Sequence, residues 1–241
     1  MTDPGQRPEP GRVVAMFDRI APWYDTMNTL MTAGIDGRWR HDAIMAARLG
    51  PGMHVLDVAT GTGKLAAAAA REVGRGGEVI GLDPSGPMLA RARMLPVREA
   101  AARLTWVQAD GTALPFADGT FDAVTIGFGL RNLPDPAAGL RELARVAVAG
   151  GRVVVLEIAE PPGGAARLLF STWFRRVVPW LGRLIGRGAD YAYLPLSLER
   201  YPPPARIAQL MAAAGLVDVR WRWLTTRLVT LHVGIRPGDA A

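Results

Sequence analysis

Apolar runs of strand length alternate with helix-prone stretches through the middle of the chain. The runs that predict strands lie at 54–60, 78–83, 104–108, 121–127 and 152–158. The polar-faced stretches predict helices at 37–48, 64–73, 87–102 and 135–147. Apolar strands separated by helices of this length are typical of a parallel sheet that is covered by helices on both faces.

The pattern changes near the C-terminus. A predicted helix over 204–214 ends at Gly215, a common helix terminator, and two long strands follow at 216–224 and 228–235. The short link between these strands cannot form a crossover, so the strands must make an antiparallel hairpin. The sequence therefore predicts an α/β fold with a seven-stranded, mostly parallel, Rossmann-like sheet that ends in this hairpin.

A glycine turn follows the first predicted strand, and an acidic residue ends the second. The turn is Gly61-Thr62-Gly63, and Asp83 lies twenty positions after Gly63. Glycines let the backbone approach a ligand closely, and a carboxylate at this position accepts hydrogen bonds from ribose hydroxyls. The pair predicts a nucleoside-containing cofactor, although Gly61-x-Gly63-x-x-Ala66 also fits a dinucleotide fingerprint.

Three further features favour S-adenosylmethionine, in a class I methyltransferase fold. Asp57 lies inside the first strand, where it could reach the cationic end of that cofactor, cap a helix or form a loop salt bridge. Asp110 and Gly111 follow the third strand, where they could bind an adenine edge or simply form a turn. Gly150-Gly151 precedes a buried strand, which is a late landmark of such methyltransferases.

The length of 241 residues suits one domain with a covering segment. We expect a methyltransferase domain over 12–236 between a disordered tail at 1–11 and a second tail at 237–241. Within it, 12–50 would form an N-terminal helical cover and 161–203 a lid or substrate segment. The sequence shows neither a signal-type N-terminus nor an apolar run long enough to span a bilayer, so a cytoplasmic protein is expected.

The net charge of +6 and the pI of about 10.6 would suit a nucleic-acid partner. The arginines, however, are spread along the chain without one long basic tract, so we expect no nucleic acid as partner. Because the sequence has no cysteine and its histidines (His41, His54 and His232) are scattered, we also expect no metal site.

Several phrases together are similar to one family. They are Phe17-Asp18-x-Ile20-Ala21-Pro22-x-Tyr24-Asp25-x-Met27-Asn28, the glycine-turn phrase from Asp57 to Gly63, Phe128-Gly129-Leu130-Arg131-Asn132 and Tyr191-x-Tyr193-Leu194-x-x-Ser197. On these phrases the chain resembles the UbiE-type C-methyltransferases of menaquinone and ubiquinone biosynthesis, from about residue 13 to 236. The resemblance implies methyl transfer from S-adenosylmethionine to a ring carbon of a prenylated quinol.

The resemblance also implies cofactor contacts at Thr62, Asp83, Asp110 and Gly111. With the strand-end positions added, the expected cofactor-binding residues are Asp57, Thr60, Gly61, Thr62, Gly63, Asp83, Pro84, Asp110, Gly111 and Gly127.

The chain departs from the family pattern at a few positions. Asp36 and Lys64 replace a usual histidine and a usual acid, and Thr226-Arg227 replaces a usual Gly-Gly. The last departure lies near the expected substrate mouth. It leaves open an alternative, namely methylation of another small aromatic or polyketide acceptor.

Arg131 and Asn132 end the fourth strand, where the transferred methyl group is expected. Arg131 could hold the quinol oxygen as a phenolate, because a guanidinium stays charged and is no ordinary base. Alternatively, Arg131 forms a structural salt bridge with Asp135 or Glu142.

Aromatic residues of the two covering segments supply further candidates. Tyr24, Asp25, Tyr191 and Tyr193 could close over the ring or simply pack on the core. The catalytic residues expected are thus Arg131, Asn132, Tyr193 and Tyr24. His232, in the last strand, is expected to be an interior histidine, with a role as base left open.

Residues 168–185 combine large apolar side chains with nearby arginines. Such a helix could lie on an anionic membrane and let a prenyl tail leave the bilayer, or it could be a lid helix with its arginines in water. The expected partners are therefore a lipophilic quinol and the membrane surface, with a homodimer as an alternative to a monomer.

Overall fold

A computed structural model describes residues 10–96, 101–184, 188–191 and 193–238. Its seven strands form one sheet in the order β3-β2-β1-β4-β5-β7-β6. The strands are β1 His54–Val58, β2 Glu78–Asp83, β3 Arg103–Gln108, β4 Phe121–Gly127, β5 Ala147–Ile158, β6 Val217–Leu224 and β7 Val229–Ile235. Strands β1 to β5 pair in parallel, and β7 is antiparallel to both β5 and β6. The predicted sheet and hairpin are confirmed.

The helices lie before, between and after these strands. They are α1 Pro10–Ile20, α2 Tyr24–Thr32, α3 Asp36–Ala47, α4 Lys64–Val73, α5 Gly86–Ala92, α6 Pro136–Val146, α7 Gly164–Thr172, α8 Val178–Leu184, α9 Gly188–Tyr191, α10 Tyr193–Arg200 and α11 Pro204–Ala213. A π-helical segment, Trp173–Val177, joins α7 to α8. Within the described residues, none of these helices has the length and apolar character needed to cross a membrane.

Three predicted boundaries are wrong for identifiable reasons. The helix predicted over 87–102 ends at Ala92, because Pro96 disfavours helical backbone at the residue before it; residues 97–100 lie outside the described part. The strand predicted over 54–60 ends at Val58, since Ala59 has a φ of 51°. Strand β5 begins at Ala147 rather than at residue 152, and its pairing with β4 is irregular around the two glycines that were expected to form a turn.

Both faces of the sheet are buried, because successive side chains of a strand point to opposite faces. Val55 and Val154 pack with α3 and α4 on one face. Leu56, Val124 and Val155 pack with α6 and α11 on the other. The carboxyl ends of β1, β2 and β4 consequently meet at one edge, beneath the N-terminal helices.

Candidate active site

The glycine turn between β1 and α4 is held in place from two sides. Gly61 and Gly63 have φ values of 56° and 79°, which glycine adopts without a steric penalty. The Thr60 hydroxyl donates to Asp57 Oδ2 at 2.6 Å, and the Gly61 N–H donates to Asp83 Oδ2 at 2.8 Å. The turn is thereby fixed against the ends of both β1 and β2.

Asp57 is engaged inside the protein. Its side chain accepts hydrogen bonds from the hydroxyls of Thr60 and Thr125, the latter at 2.7 Å, and the residue is only 1% exposed. Burial raises the pKa of Asp57 to about 6. The Ala66 N–H in the first turn of α4 also donates to Asp57. Asp57 therefore caps this end of α4 and fixes the glycine turn, without a salt bridge in the described part of the structure, and it is absent from the walls of the cavity beside that turn.

Asp83 ends β2 and faces that cavity. Its carboxylate accepts the Gly61 N–H and, at 2.9 Å, the Ser85 N–H. A carboxylate can accept about four hydrogen bonds, so acceptor capacity remains for ribose hydroxyls. Burial raises the pKa of Asp83 to about 6, with a further increase from the nearby charge of Asp18.

The small cavity beside the glycine turn has a volume of about 90 Å³. Of the expected cofactor-binding residues, it is lined by Gly61, Asp83, Pro84, Asp110, Gly111 and Gly127. A Cβ on Gly111 would lie 2.9 Å from Val58 Cγ1, so the absence of a side chain there brings the backbone of the β3–β4 loop close to the strands.

Residues Thr60, Thr62 and Gly63 do not line the small cavity. A Cβ on Gly63 would lie 2.5 Å from the Trp106 ring, so close packing requires this glycine. Thr62 donates to Asp25 Oδ1 at 2.8 Å, and Lys64 Nζ lies 3.1 Å from the same oxygen. Asp25 therefore joins α2 to the glycine turn, and Lys64, the departure from the family acid, stabilises that junction.

The residues around the small cavity fit S-adenosylmethionine chemically, but α1 limits the space. Pockets that enclose a ligand of this size have volumes of about 300–1,000 Å³. Val13, Val14 and Phe17 of α1 form part of the wall, and Asp18 accepts a 2.5 Å hydrogen bond from Ser85. The small cavity is below this range, and α1 forms one of its walls.

A large cavity of about 580 Å³ adjoins the small one. Both are lined by Phe17, Tyr24, Phe128 and Asn132. The walls of the large cavity are mainly apolar, with Met16, Ile20, Met31, Trp39, Ile158, Leu169, Phe170, Trp173, Phe174, Leu228 and Val229 among them. A few polar groups, Arg131 and Tyr193 among them, lie at the end near Asn132.

Phe128 forms the boundary between the two cavities. Its φ of 59° is uncommon for a bulky residue. The strained backbone is held by a 2.7 Å bond from the Phe128 N–H to the Leu156 carbonyl. The Phe128 carbonyl in turn accepts from Arg131 Nη1 at 3.0 Å and from Asn132 Nδ2 at 3.3 Å. This conformation places Arg131 and Asn132 at the junction of the cavities.

Arg131 forms a buried ion pair with Glu157. Arg131 Nη1 donates to Glu157 Oε1, the Arg131 N–H donates to Glu157 Oε2 at 3.3 Å, and the Glu157 side chain is fully buried. Burial raises the pKa of Glu157, and the charge of Arg131 opposes this increase. The predicted partners were wrong, since Asp135 caps α6 and Glu142 pairs with Arg145. The sequence did mark Glu157 as unusual, because it is an acidic residue in a mainly apolar predicted strand.

Two tyrosines complete the polar end of the large cavity. The Tyr193 hydroxyl donates to Asn132 Oδ1 at 3.4 Å, and Tyr24 lies beside Gly61. Burial raises the pKa of both tyrosines, so their hydroxyls keep their protons at neutral pH. The Tyr191 side chain lies outside the described part of the structure.

His232 is an interior residue, as expected. It is fully buried, its Nε2 lies 2.9 Å from the Pro204 carbonyl, and its ring stacks on Trp221. Because a carbonyl only accepts, Nε2 must carry the proton. Burial lowers the pKa of His232 to about 4, and the residue is absent from the walls of both cavities.

Comparison with known proteins identifies the family. The sequence pattern of the ubiE/COQ5 methyltransferase family matches residues 6–236. The chain belongs to this family. It is 48% identical over 226 residues to a demethylmenaquinone methyltransferase of Thermus thermophilus, covering 92% of this chain and 100% of that protein. It is 42% identical to a ubiquinone/menaquinone biosynthesis C-methyltransferase UbiE of Syntrophotalea carbinolica, covering 98% of each chain.

Solved structures share the fold at low sequence identity. The [4+2]-cyclase SpnF has a TM-score of 0.68 at 18% identity, covering 94% of this chain and 96% of that one. A SAM-dependent methyltransferase from Aquifex aeolicus has a TM-score of 0.58 at 17% identity, covering 82% of this chain and 89% of that one. These likenesses show the class I fold, on which different chemistries occur. Family membership makes this ubiE/COQ5-family protein an S-adenosylmethionine-dependent methyltransferase.

The raised pKa of Asp83 predicts that cofactor binding weakens in acid. A protonated carboxyl cannot accept the two backbone N–H groups and both ribose hydroxyls, so binding selects the ionised form. The dissociation constant for S-adenosylhomocysteine should be about tenfold higher at pH 5 than at pH 7.5, as expected for one group with a pKa near 6. Calorimetry between pH 5 and pH 7.5 measures this dissociation constant.

Two matched variants assign the effect to one carboxylate, since Asp57 has a similarly raised pKa. Asp83→Asn should raise the dissociation constant for S-adenosylhomocysteine and remove most of its pH dependence. Asp57→Asn should leave that pH dependence unchanged. Equal affinity of the unaltered protein at pH 5 and pH 7.5 would contradict the assignment.

Proposed function

We propose that this protein transfers the methyl group of S-adenosylmethionine to a ring carbon of a prenylated quinol, such as demethylmenaquinol or its counterpart in ubiquinone biosynthesis. The observation that carries the proposal is the junction at Asn132. There the large, mainly apolar cavity meets the small cavity beside a buried arginine. The names of the Thermus and Syntrophotalea relatives support the same substrate class.

The cofactor supplies an electrophilic methyl group on a sulfonium. Asp83, Gly61 and Gly111 line the small cavity, and we propose that they hold the nucleoside part of the cofactor against the strand ends. We infer that the remaining contribution of the protein is to position the quinol ring and to stabilise negative charge on its oxygen.

Arg131 is the group that stabilises this charge. Glu157 engages Nη1 and the backbone N–H, while Arg131 Nε is buried without a hydrogen-bond partner among the described residues. Arg131 also lines the large cavity, so the positive charge of its guanidinium lies beside the space for the quinol ring. A quinol oxygen that loses its proton there gains a charge-assisted hydrogen bond, which makes the neighbouring ring carbon more nucleophilic.

Asn132, Tyr193 and Tyr24 orient the ring around this arginine. The Asn132 amide is fixed by the Phe128 carbonyl and the Tyr193 hydroxyl. Tyr24 lies on the boundary with the cofactor cavity. Because both tyrosines keep their protons, they act as hydrogen-bond donors or packing surfaces rather than as bases.

The proposal predicts ring methylation by the purified protein. Incubation with S-adenosylmethionine carrying a ¹³C-methyl group and a short-chain demethylmenaquinol, kept reduced, should give a product with the label on a ring carbon. Mass spectrometry and NMR locate the label. The tail-less naphthoquinol is a matched control and should react with a higher KM, because it leaves part of the apolar cavity unfilled. Label on oxygen, or transfer only to unrelated aromatic acceptors, would contradict the proposal.

We further propose that the protein works from the cytoplasmic side at the membrane surface. Leu168 and Leu169 on α7 are 70% and 71% exposed, and Trp180 on α8 is 54% exposed. Leu169 also lines the large cavity. Arg176 and Arg183 are exposed on the same segment. An apolar and basic surface at the cavity mouth would suit an anionic lipid surface and admit a prenyl chain.

This surface predicts lipid binding that acidic substitutions weaken. The protein should float with vesicles that contain anionic phosphatidylglycerol and bind poorly to neutral phosphatidylcholine vesicles. The double variant Leu168→Glu/Trp180→Glu should bind at least about tenfold more weakly, because burial of each side chain contributes about 1.5–3 kcal/mol. Val217→Glu is the matched control, since Val217 is 46% exposed and lies beside Ile235, whose other neighbour is Arg152, at the amino-terminal edge of the sheet away from the cavities. Equal flotation of both variants would contradict the proposed surface.

A further inference from the structure

Arg40 places a positive charge beside the boundary between the small and the large cavity. The residue lies on α3 and lines the large cavity. Its guanidinium carbon lies 5.8 Å from the centre of the Phe128 ring, and Phe128 lines both cavities. The charge of Arg40 is also close enough to act on Tyr24 and on Asp57. Arg40 therefore lies near both the glycine turn and the acceptor space.

Asp36 holds Arg40 in this position. Arg40 Nη1 donates to Asp36 Oδ2, and the Thr32 hydroxyl donates to Asp36 Oδ1 at 3.2 Å. Burial tends to raise the pKa of Asp36, yet the bonds from Arg40 and Thr32 leave this pKa below its usual value. The pair is consequently ionised at neutral pH. Asp36, which replaces a usual histidine of the family, thus fixes the arginine beside Phe128.

Most donors of the Arg40 guanidinium remain available for a ligand. An arginine side chain has several N–H donors, and among the described residues only Asp36 accepts one of them. The side chain is 13% exposed and lines the large cavity, and neither Nε nor Nη2 is sealed inside the protein. An acceptor group that enters from the cavities can therefore reach this guanidinium.

The amino-acid end of S-adenosylmethionine requires such a group. The sulfonium carries the methyl group to be transferred and also the chain that ends in an ammonium and a carboxylate. Because the methyl group must reach an acceptor in the large cavity, the sulfonium belongs at the boundary that Phe128 and Tyr24 form. The carboxylate is then only a few bonds away from that boundary.

Few other cations of the described residues are available there. The described walls of the small cavity include acidic residues but neither arginine nor lysine. The described walls of the large cavity include Arg40 and Arg131, and Arg131 is engaged by Glu157. Lys64 pairs with Asp25 at 3.1 Å and is absent from the described walls of both cavities. Arg40 is therefore the best-placed cation for the carboxylate.

We propose that Arg40 binds the carboxylate at the methionine end of S-adenosylmethionine, and that Asp36 orients the guanidinium for this contact. A guanidinium and a carboxylate form charge-assisted, often bidentate hydrogen bonds. The ion pair with Asp36 leaves the site without net charge, which suits a zwitterionic amino-acid group. The inference rests on the proposed use of the small cavity for the cofactor and of the large cavity for the acceptor, and it holds for any acceptor.

Calorimetry with two ligands tests this contact without catalysis. S-adenosylhomocysteine carries the carboxylate, whereas its decarboxylated analogue keeps the nucleoside, the thioether and the ammonium. Both dissociation constants are measured in the unaltered protein, Arg40→Met, Arg40→Lys and Lys64→Met. Arg38→Met is the matched control, because Arg38 is exposed on the same helix. The double variant Asp36→Asn/Arg40→Met removes both charges, so that no buried carboxylate is left unpaired to destabilise the fold.

We expect the unaltered protein to bind the decarboxylated analogue at least about tenfold more weakly than S-adenosylhomocysteine, because a charge-assisted contact is lost. Arg40→Met and the double variant should abolish this preference by weakening the binding of S-adenosylhomocysteine and not that of the analogue. Arg40→Lys should keep part of the preference, since it keeps the charge without the planar fork. Arg38→Met should keep all of it.

Other outcomes would overturn the inference. Equal affinity of the unaltered protein for the two ligands would show that it does not recognise the carboxylate. An unchanged preference in the double variant, with both ligands weakened equally, would give Arg40 a purely structural role. Loss of the preference in Lys64→Met but not in Arg40→Met would assign the carboxylate to Lys64. Failure of the proposed function is distinguishable, because these binding measurements involve no quinol.

Discussion

Burial of carboxylates at the carboxyl edge of the sheet is the constraint that shapes this site. A buried ionised carboxylate is unstable unless hydrogen-bond donors surround it. Asp57 recruits two threonine hydroxyls, Asp83 recruits two backbone N–H groups, and Glu157 recruits Arg131. Apart from Thr125, which lies on β4, these donors come from loops that leave the sheet. The requirement for donors therefore fixes the loops that form the cavities.

The same type of bond attaches the N-terminal helices to the sheet. Asp25 binds the glycine turn through Thr62 and Lys64, and Asp18 binds Ser85 at the start of α5. These contacts bring α1 over the small cavity and Tyr24 to its boundary with the large cavity. The bond between Asp18 and Ser85 thus holds α1 as one wall of the small cavity.

Local patterns in the sequence were sufficient for the sheet and for many of the residues that line the small cavity. The strands are apolar and separated by helices, and the cavity residues Gly61, Asp83 and Gly111 lie where strands end. Where a strand ends is determined by residues that are close in the sequence. The predicted helix over 87–102 failed because one proline outweighed a helix-prone composition.

Partners from distant parts of the chain could not be predicted in this way. Arg131 pairs with Glu157 on the neighbouring strand, and Gly63 packs against Trp106 of β3. Thr62 and Asp25, which were expected to contact the cofactor and the substrate, also bind each other. Sequence spacing marks which residues reach the sheet edge, but the packing of the helices decides which of them face a ligand. The position of Arg131 thus depends on a partner that only the folded chain provides.

The account holds that the Arg131–Glu157 pair exists for catalysis rather than for stability. Unfolding free energy and quinol methylation in Arg131→Met, Glu157→Gln and the double variant test this directly. The unfolding free energy of each single variant should fall by about 3–5 kcal/mol, because one charge stays buried without its partner. The double variant should regain most of this free energy. All three should lose methyl transfer while a folded variant still binds S-adenosylhomocysteine. A stable double variant that methylates quinol at the original rate would contradict the account.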